Sequence, residues 1–352
     1  MYIVLAILIF GILIATHELG HFLTAKACGV QVNEFAVGMG PAILKKTKGE
    51  TQYSLRVLPL GGFCAMEGED GISDNPRAFT SQPVWKRFLI LVSGSAMNFL
   101  TGLLVVLLLF SRSEYFVGST VTGLVDGFRY GGEQGLEIGD EIIRIDGHAV
   151  WYVDDFQTYM SRSDGTVDMT VIRDGRRVDL EDYPLRMEEY EVDGETVTRY
   201  GVTFNIIRAN VWEKLKYGCY TAYDFVRLVY MSLGDLLRGA VGVNELSGVV
   251  GIVDTISQVG QQSATRSAAL INIAYLASFI AVNLAVMNLL PIPALDGGRI
   301  FFLLVTWVLE KILRRKIDPK YEGYIHAAGL VLLLVLMGYV MFNDIVRIIH
   351  GT

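Results

Sequence analysis

Residues 2–25 read YIVLAILIFGILIATHELGHFLTA, an apolar run long enough to cross a bilayer core, which takes ~20 residues as a helix. The run lacks a basic leader and a small-residue cleavage site, so it reads as a spanning helix rather than a signal peptide. Its apolar character is broken by His17, Glu18 and His21. Such groups inside a span are costly unless they are paired, hydrated or bound to metal. On a helix, two histidines four residues apart project from one face and can grip one Zn²⁺ through imidazole nitrogens. Glu18 then stands beside the metal, where a carboxylate can take a proton from a water that the metal has made acidic. The competing reading is a buried, hydrogen-bonded His/Glu cluster with no metal.

Composition agrees with a membrane setting. Of 352 residues, 52% are hydrophobic and only 19% charged, with mean hydropathy +0.40, a balance uncommon in a water-soluble globule. The apolar residues cluster into four candidate spans, in residues 1–26, 88–110, 268–298 and 325–343. Cys28, Cys64 and Cys219 share no metal-binding or disulfide spacing, which leaves histidine and carboxylate as metal ligands. Lys26, Lys45, Lys46, Lys48, Arg56, Lys86 and Arg87 lie between the first two spans. Arg299, Lys311, Arg314, Arg315, Lys316 and Lys320 lie between the last two. The positive-inside rule puts both segments in the cytoplasm. The stretch 111–200 carries 20 acidic against 9 basic residues and is expected outside. Nothing in the chain has the basic patterning of a nucleic-acid binder.

Between the first two spans, residues 30–66 alternate apolar and polar side chains around the polar turn KKTKGET, which predicts a β-hairpin region lying against the membrane. Residues 115–187 contain GLEIGDEIIRIDGHAV, the helical run DDFQTYMSR and the strand-turn-strand pattern TVDMTVIRDGRRVDLEDYPL. This order resembles a PDZ domain. Residues 211–239 predict an amphipathic helix, either on the outer leaflet or packed on the preceding domain. Ile300 to Leu309 is too short to span and reads as an interfacial or re-entrant segment. The expected fold class is a polytopic α-helical membrane protein with about four transmembrane helices, a membrane-associated cytoplasmic β-hairpin region and an extracytoplasmic PDZ-like α/β domain.

A catalytic zinc takes a third protein ligand and keeps one position open. The best candidate is Asp296, in NLLPIPALDGGR at residues 288–299. Pro291 and Pro293 stop the helix, so Asp296, followed by two glycines, is expected on a tight turn facing the bundle interior. Asn288 reads either as a donor to substrate backbone or oxyanion or as an interhelical hydrogen bond.

HELGHFLTAKACGVQVNEFAVGMGP, YSLRVLPLGGFCAMEGE, NELSGVVGI and NLLPIPALDGG, together with the one PDZ-like domain, fall in the order found in bacterial site-2 proteases, and the chain resembles that family nearly end to end. The resemblance implies an intramembrane metalloendopeptidase with Zn²⁺ held by His17, His21 and Asp296, catalysis by Glu18 and a supporting role for Asn288. It implies single-pass membrane substrates, trimmed beforehand by an upstream site-1-type protease, in a bacterial inner membrane whose lipids surround the chain. Two departures from the family pattern stand out: Gly248-Val249 replaces Gly-Pro, and SGSAMNF at residues 93–99 lacks a proline. LPLGGF, with Gly61, Gly62 and Phe63, reads either as an edge strand that an unwound substrate joins by β-augmentation or as a structural turn. A different class of reading is a non-catalytic membrane PDZ scaffold with a structural metal site, whose sign is a missing base or ligand; here all are present. A transporter predicts internal repeats of spans, and none is visible.

Overall fold

The computed structural model describes all residues except 70, 72, 133, 193–194, 315–319 and 351–352; Arg315 and Lys316 fall outside the described residues. The chain runs α1 (Tyr2–Ala27), β1 (Val32–Lys48), β2 (Thr51–Met66), α2 (Val84–Phe110), β3 (Tyr115–Leu124), β4 (Glu141–Ile145), β5 (His148–Ala149), α3 (Val153–Met160), β6 (Val167–Arg173), β7 (Arg176–Tyr183), β8 (Glu188–Val192), β9 (Glu195–Arg199), β10 (Val202–Arg208), α4 (Val211–Arg238), α5 (Val249–Gln262), α6 (Arg266–Asn288), α7 (Asp296–Leu313) and α8 (Lys320–His350). Contacts divide it into Met1–Ser111 with Gly218–Thr352 as one unit and Arg112–Tyr217 as the other.

Four helices in the first unit are long and apolar enough to cross a membrane: Tyr2–Ala27, Val84–Phe110, Arg266–Asn288 and Gly323–His350. α1 and α2 approach closely, because a side chain at Gly20 would overlap the Ser93 carbonyl. Gly102 on α2 gives α6 the same closeness: a Cβ there would sit 2.9 Å from the Ser278 carbonyl. Without a hydrophobic drive between helices in lipid, such small-residue contacts and their dispersion energy hold a bundle together. α5 fills the wedge between α1 and α6, where Ile256 packs with Ala6, Phe10, Leu13, Ile273 and Ile280.

The start of α5 is capped from another helix. Gly248, at its N-cap, has no side chain to offer, and the Asp344 carboxylate of α8 accepts the Gly248 and Gly251 N–H groups, each at 2.9 Å. Asp344 is 1% exposed, so the two donors have no water to turn to if it is removed. Asp344→Ala is expected to destabilise the fold by about 3 kcal/mol, read as a lowered thermal midpoint in detergent; an unchanged midpoint would remove the cap from this account.

β1 and β2 form more than a plain hairpin. Glu34 to Val37 pair with residues 62–65 on one side and with residues 52–55 on the other, while Leu44 to Lys48 pair back onto residues 51–55. Residues 62–65 therefore lie at an edge of the described pairing. The tip at Glu50 is tied down by Arg77 and Lys26, which hold its carboxyl at about 2. Ala25, Val30, Val32, Cys64, Met66, Phe79, Ile90, Leu91 and Leu303 share one core, which joins α1, α2 and α7 to the base of this sheet. The segment Ile300 to Leu309, expected as a short interfacial piece, is the middle of the 18-residue helix α7.

The second unit has a sheet ordered β10-β3-β4-β6-β7, with β5 paired to β4, and a separate β8-β9 hairpin. The buried carboxylate of Asp140 and the Glu137 side chain engage Arg173 at 2.7–3.1 Å, fixing β6 to the turn before β4. The sheet extends past Met187, the expected limit, because β10 returns to pair with β3.

Candidate metal centre

α1 and the first turn of α7 bring three ligand atoms together. His17 Nε2 and His21 Nε2 lie 3.2 Å apart, and each faces Asp296 Oδ2, at 3.1 and 3.2 Å. In a tetrahedral zinc site with bonds of ~2.0–2.1 Å the ligand atoms stand about 3.3 Å from one another, so the triangle is close to the size a single ion requires. Two imidazole nitrogens aimed at each other and at one carboxylate oxygen are poorly matched without a cation between them. The donor set of two histidines and one carboxylate suits zinc and leaves a fourth position open.

The ligands are oriented from behind. His21 Nδ1 donates to the Ile90 carbonyl at 2.8 Å, which fixes the ring and leaves Nε2 for metal. Gly94 on α2 sits against both rings: a Cβ there would overlap His21 Nε2 and lie 2.8 Å from His17 Cε1. One residue before the pair, the Thr16 hydroxyl shares its one proton between the Leu13 carbonyl and Oδ1 of the buried Asn98, at 3.0 and 3.2 Å.

Asp296 is the first residue of α7 rather than part of a turn; the turn is completed by Pro291 to Leu295. Ala294 there takes φ +74°, a conformation that L residues resist. Its N–H donates to His326 Nδ1 of α8 at 3.0 Å. Gly297 and Gly298 allow α7 to start hard against the end of α6, since side chains there would overlap the Leu290 and Ile292 carbonyls. A carboxylate at a helix N-terminus is also favoured by the helix dipole.

Among the other expected residues, Glu18 follows His17 directly, and its Cγ lies 3.2 Å from the Cβ position of Gly62. Gly62 thus brings the edge of β2 to the side of Glu18. Gly61 precedes it with φ +89°, and Phe63 lies under the Arg56 guanidinium at 4.8 Å. Asn288 is the last residue of α6; it is half-buried and has no side-chain hydrogen bond among the described residues. Gly94, Asn98, Ile90 and His326 carry roles the sequence did not reveal. SGSAMNF held the signal for two of them, a glycine and an asparagine at helical spacing within an apolar span.

The profile of peptidase family M50 matches residues 5–336. A Clostridium perfringens protein whose name describes it as a zinc metalloprotease is 33% identical over 350 residues, covering 98% of this chain and 99% of the relative. Zinc metalloprotease RasP of Bacillus licheniformis is 29% identical, covering 97% and 98%. Regulator of sigma-W protease RasP of Bacillus subtilis is 27% identical, covering 97% of each.

Proposed function

The chain belongs to peptidase family M50, the site-2 proteases, and we propose from that premise that His17, His21 and Asp296 hold its zinc while Glu18 carries the protons of peptide hydrolysis. As a family member it is an intramembrane zinc metalloprotease of regulated intramembrane proteolysis. The observation that carries the residue assignment is the triangle of two Nε2 atoms and one Oδ2 with edges of 3.1–3.2 Å.

Bound zinc supplies Lewis-acid activation of water and of the scissile carbonyl. Glu18 accepts the proton that the attacking water gives up and returns it to the departing amide nitrogen. Asn288 donates a hydrogen bond to substrate backbone. A helical substrate hides its carbonyls in its own hydrogen bonds and must unwind first. The edge at Gly61, Gly62 and Phe63 offers main-chain partners to the unwound segment, and the contact between Gly62 and Glu18 supports this route.

The basic segments on either side of the metal ligands support a plasma-membrane protein with its hairpin region and active site toward the cytoplasm. The acidic 112–217 unit is then extracytoplasmic, a PDZ-like module that reads a newly exposed C-terminus or excludes bulky outer domains. The substrates are single-pass membrane proteins shortened beforehand by a site-1-type protease. The sigma-W connection in the Bacillus subtilis relative's name supports membrane-anchored regulators, such as anti-sigma factors, as one such class; remnant signal peptides are another.

The test is metal content. Purified in detergent without chelator, wild type is expected to carry about one zinc per chain by mass spectrometry, and Asp296→Ala less than a tenth of that. A full complement in Asp296→Ala rejects the ligand set.

A further inference from the structure

Arg299 stands three residues after Asp296, in the first turn of α7. Two features make this an odd place for a cation. A positive charge at a helix N-terminus opposes the helix dipole, and the i, i+3 spacing puts the guanidinium on the same helix face as the Asp296 carboxylate, within reach of it. An arginine fork fits a carboxylate well, so Arg299 is a built-in competitor for the oxygen that the metal needs.

The guanidinium is turned elsewhere. Arg299 Nη1 donates to Glu69 Oε1, across 230 positions of sequence. Glu69 lies in the loop that leaves β2, with its side chain 16% exposed. That loop is tied in place by bonds from Asn33 and Ser73 to Glu67 at 2.8 and 2.7 Å and by the Phe79 N–H on the Glu67 carbonyl at 2.7 Å. Its base belongs to the core shared by Met66 and Leu303 of α7, with Ile300 packed against it. Glu69 is therefore presented to Arg299 two residues beyond the anchored Glu67.

We propose that Glu69 is a positioning residue of the metal centre, which keeps the Arg299 guanidinium off Asp296 and so keeps that carboxylate available to the ion. This rests on Asp296 being a ligand. The role differs from that of an ordinary structural ion pair in one respect. If the pair merely held α7 to the loop, losing either partner would do similar harm, and losing both would do no better. If Glu69 restrains a competitor, losing Glu69 is harmful, losing Arg299 is not, and losing Arg299 as well repairs the loss of Glu69.

The experiment measures zinc affinity of the full-length protein in detergent by competition with a chromophoric chelator, alongside thermal midpoints. Glu69→Gln is expected to weaken zinc binding at least tenfold, Arg299→Met to leave it within about threefold of wild type, and Glu69→Gln with Arg299→Met to return it to that range. Equal weakening in the two single variants, or a double variant no better than Glu69→Gln, overturns the proposal. Asp296→Ala is run in the same series. If it binds zinc as wild type does, the ligand assignment itself fails; if it loses zinc while Glu69→Gln does not, only the role of Glu69 fails.

Discussion

Glu18→Gln is expected to lower cleavage of a single-span substrate by about 10⁴-fold while the protein keeps its full zinc content. The amide is nearly isosteric with the carboxylate, so the side chain still fits beside Gly62, where a Cβ, which glycine lacks, would stand only 3.2 Å from its Cγ. What it loses is the ability to accept a proton. His17 and His21 are untouched, so metal content separates this variant from a damaged site. The comparison uses purified protein, bound zinc and substrate turnover in one preparation. Activity within tenfold of wild type places the base elsewhere, and a parallel loss of zinc makes Glu18 a support for the metal.

Gly94→Ala is the second large effect. The added methyl overlaps His21 Nε2 and crowds His17 Cε1 at 2.8 Å. His21 is held from behind by the Ile90 carbonyl, and the α1 backbone is pinned where Gly20 meets Ser93. Overpacking of a rigid core costs about 1–3 kcal/mol, and here the strain falls on the ligand atoms themselves. Zinc content is expected to fall below a tenth and cleavage by more than 100-fold. Gly338→Ala on α8, which meets nothing within 4 Å, is the control and is expected to keep both. Normal zinc in Gly94→Ala would mean that the two helices stand further apart than the contact implies.

Much of the candidate centre is legible in the sequence because its signals are local or chemically conspicuous. His17 and His21 stand one helical turn apart inside an apolar run with Glu18 between them, and Asp296 follows two prolines that stop a helix. What packs behind them is not legible. Gly94 and Asn98 stand out in the sequence only by their spacing within a span, and the crossing of α1 and α2 shows what they face. The ion pair of Glu69 with Arg299 joins distant positions with no pattern to link them. The sheet of β1 and β2 misleads for a different reason: alternation reveals strands but not partners, and residues 34–37 have partners on both edges. Counting apolar residues finds only Ile300 to Leu309 of α7, because the helix begins on an aspartate and ends among cations.

The proposed ligand set is split between the first helix and the last third of the chain. During synthesis at ~5–20 residues per second, an interval on the order of tens of seconds separates the emergence of His21 from that of Asp296. Throughout it the nascent chain holds only an imidazole pair, short of the three ligands that a catalytic zinc takes. A chain of this design thus completes its proposed metal site only when nearly all of it has been made, so the order of synthesis itself delays cutting.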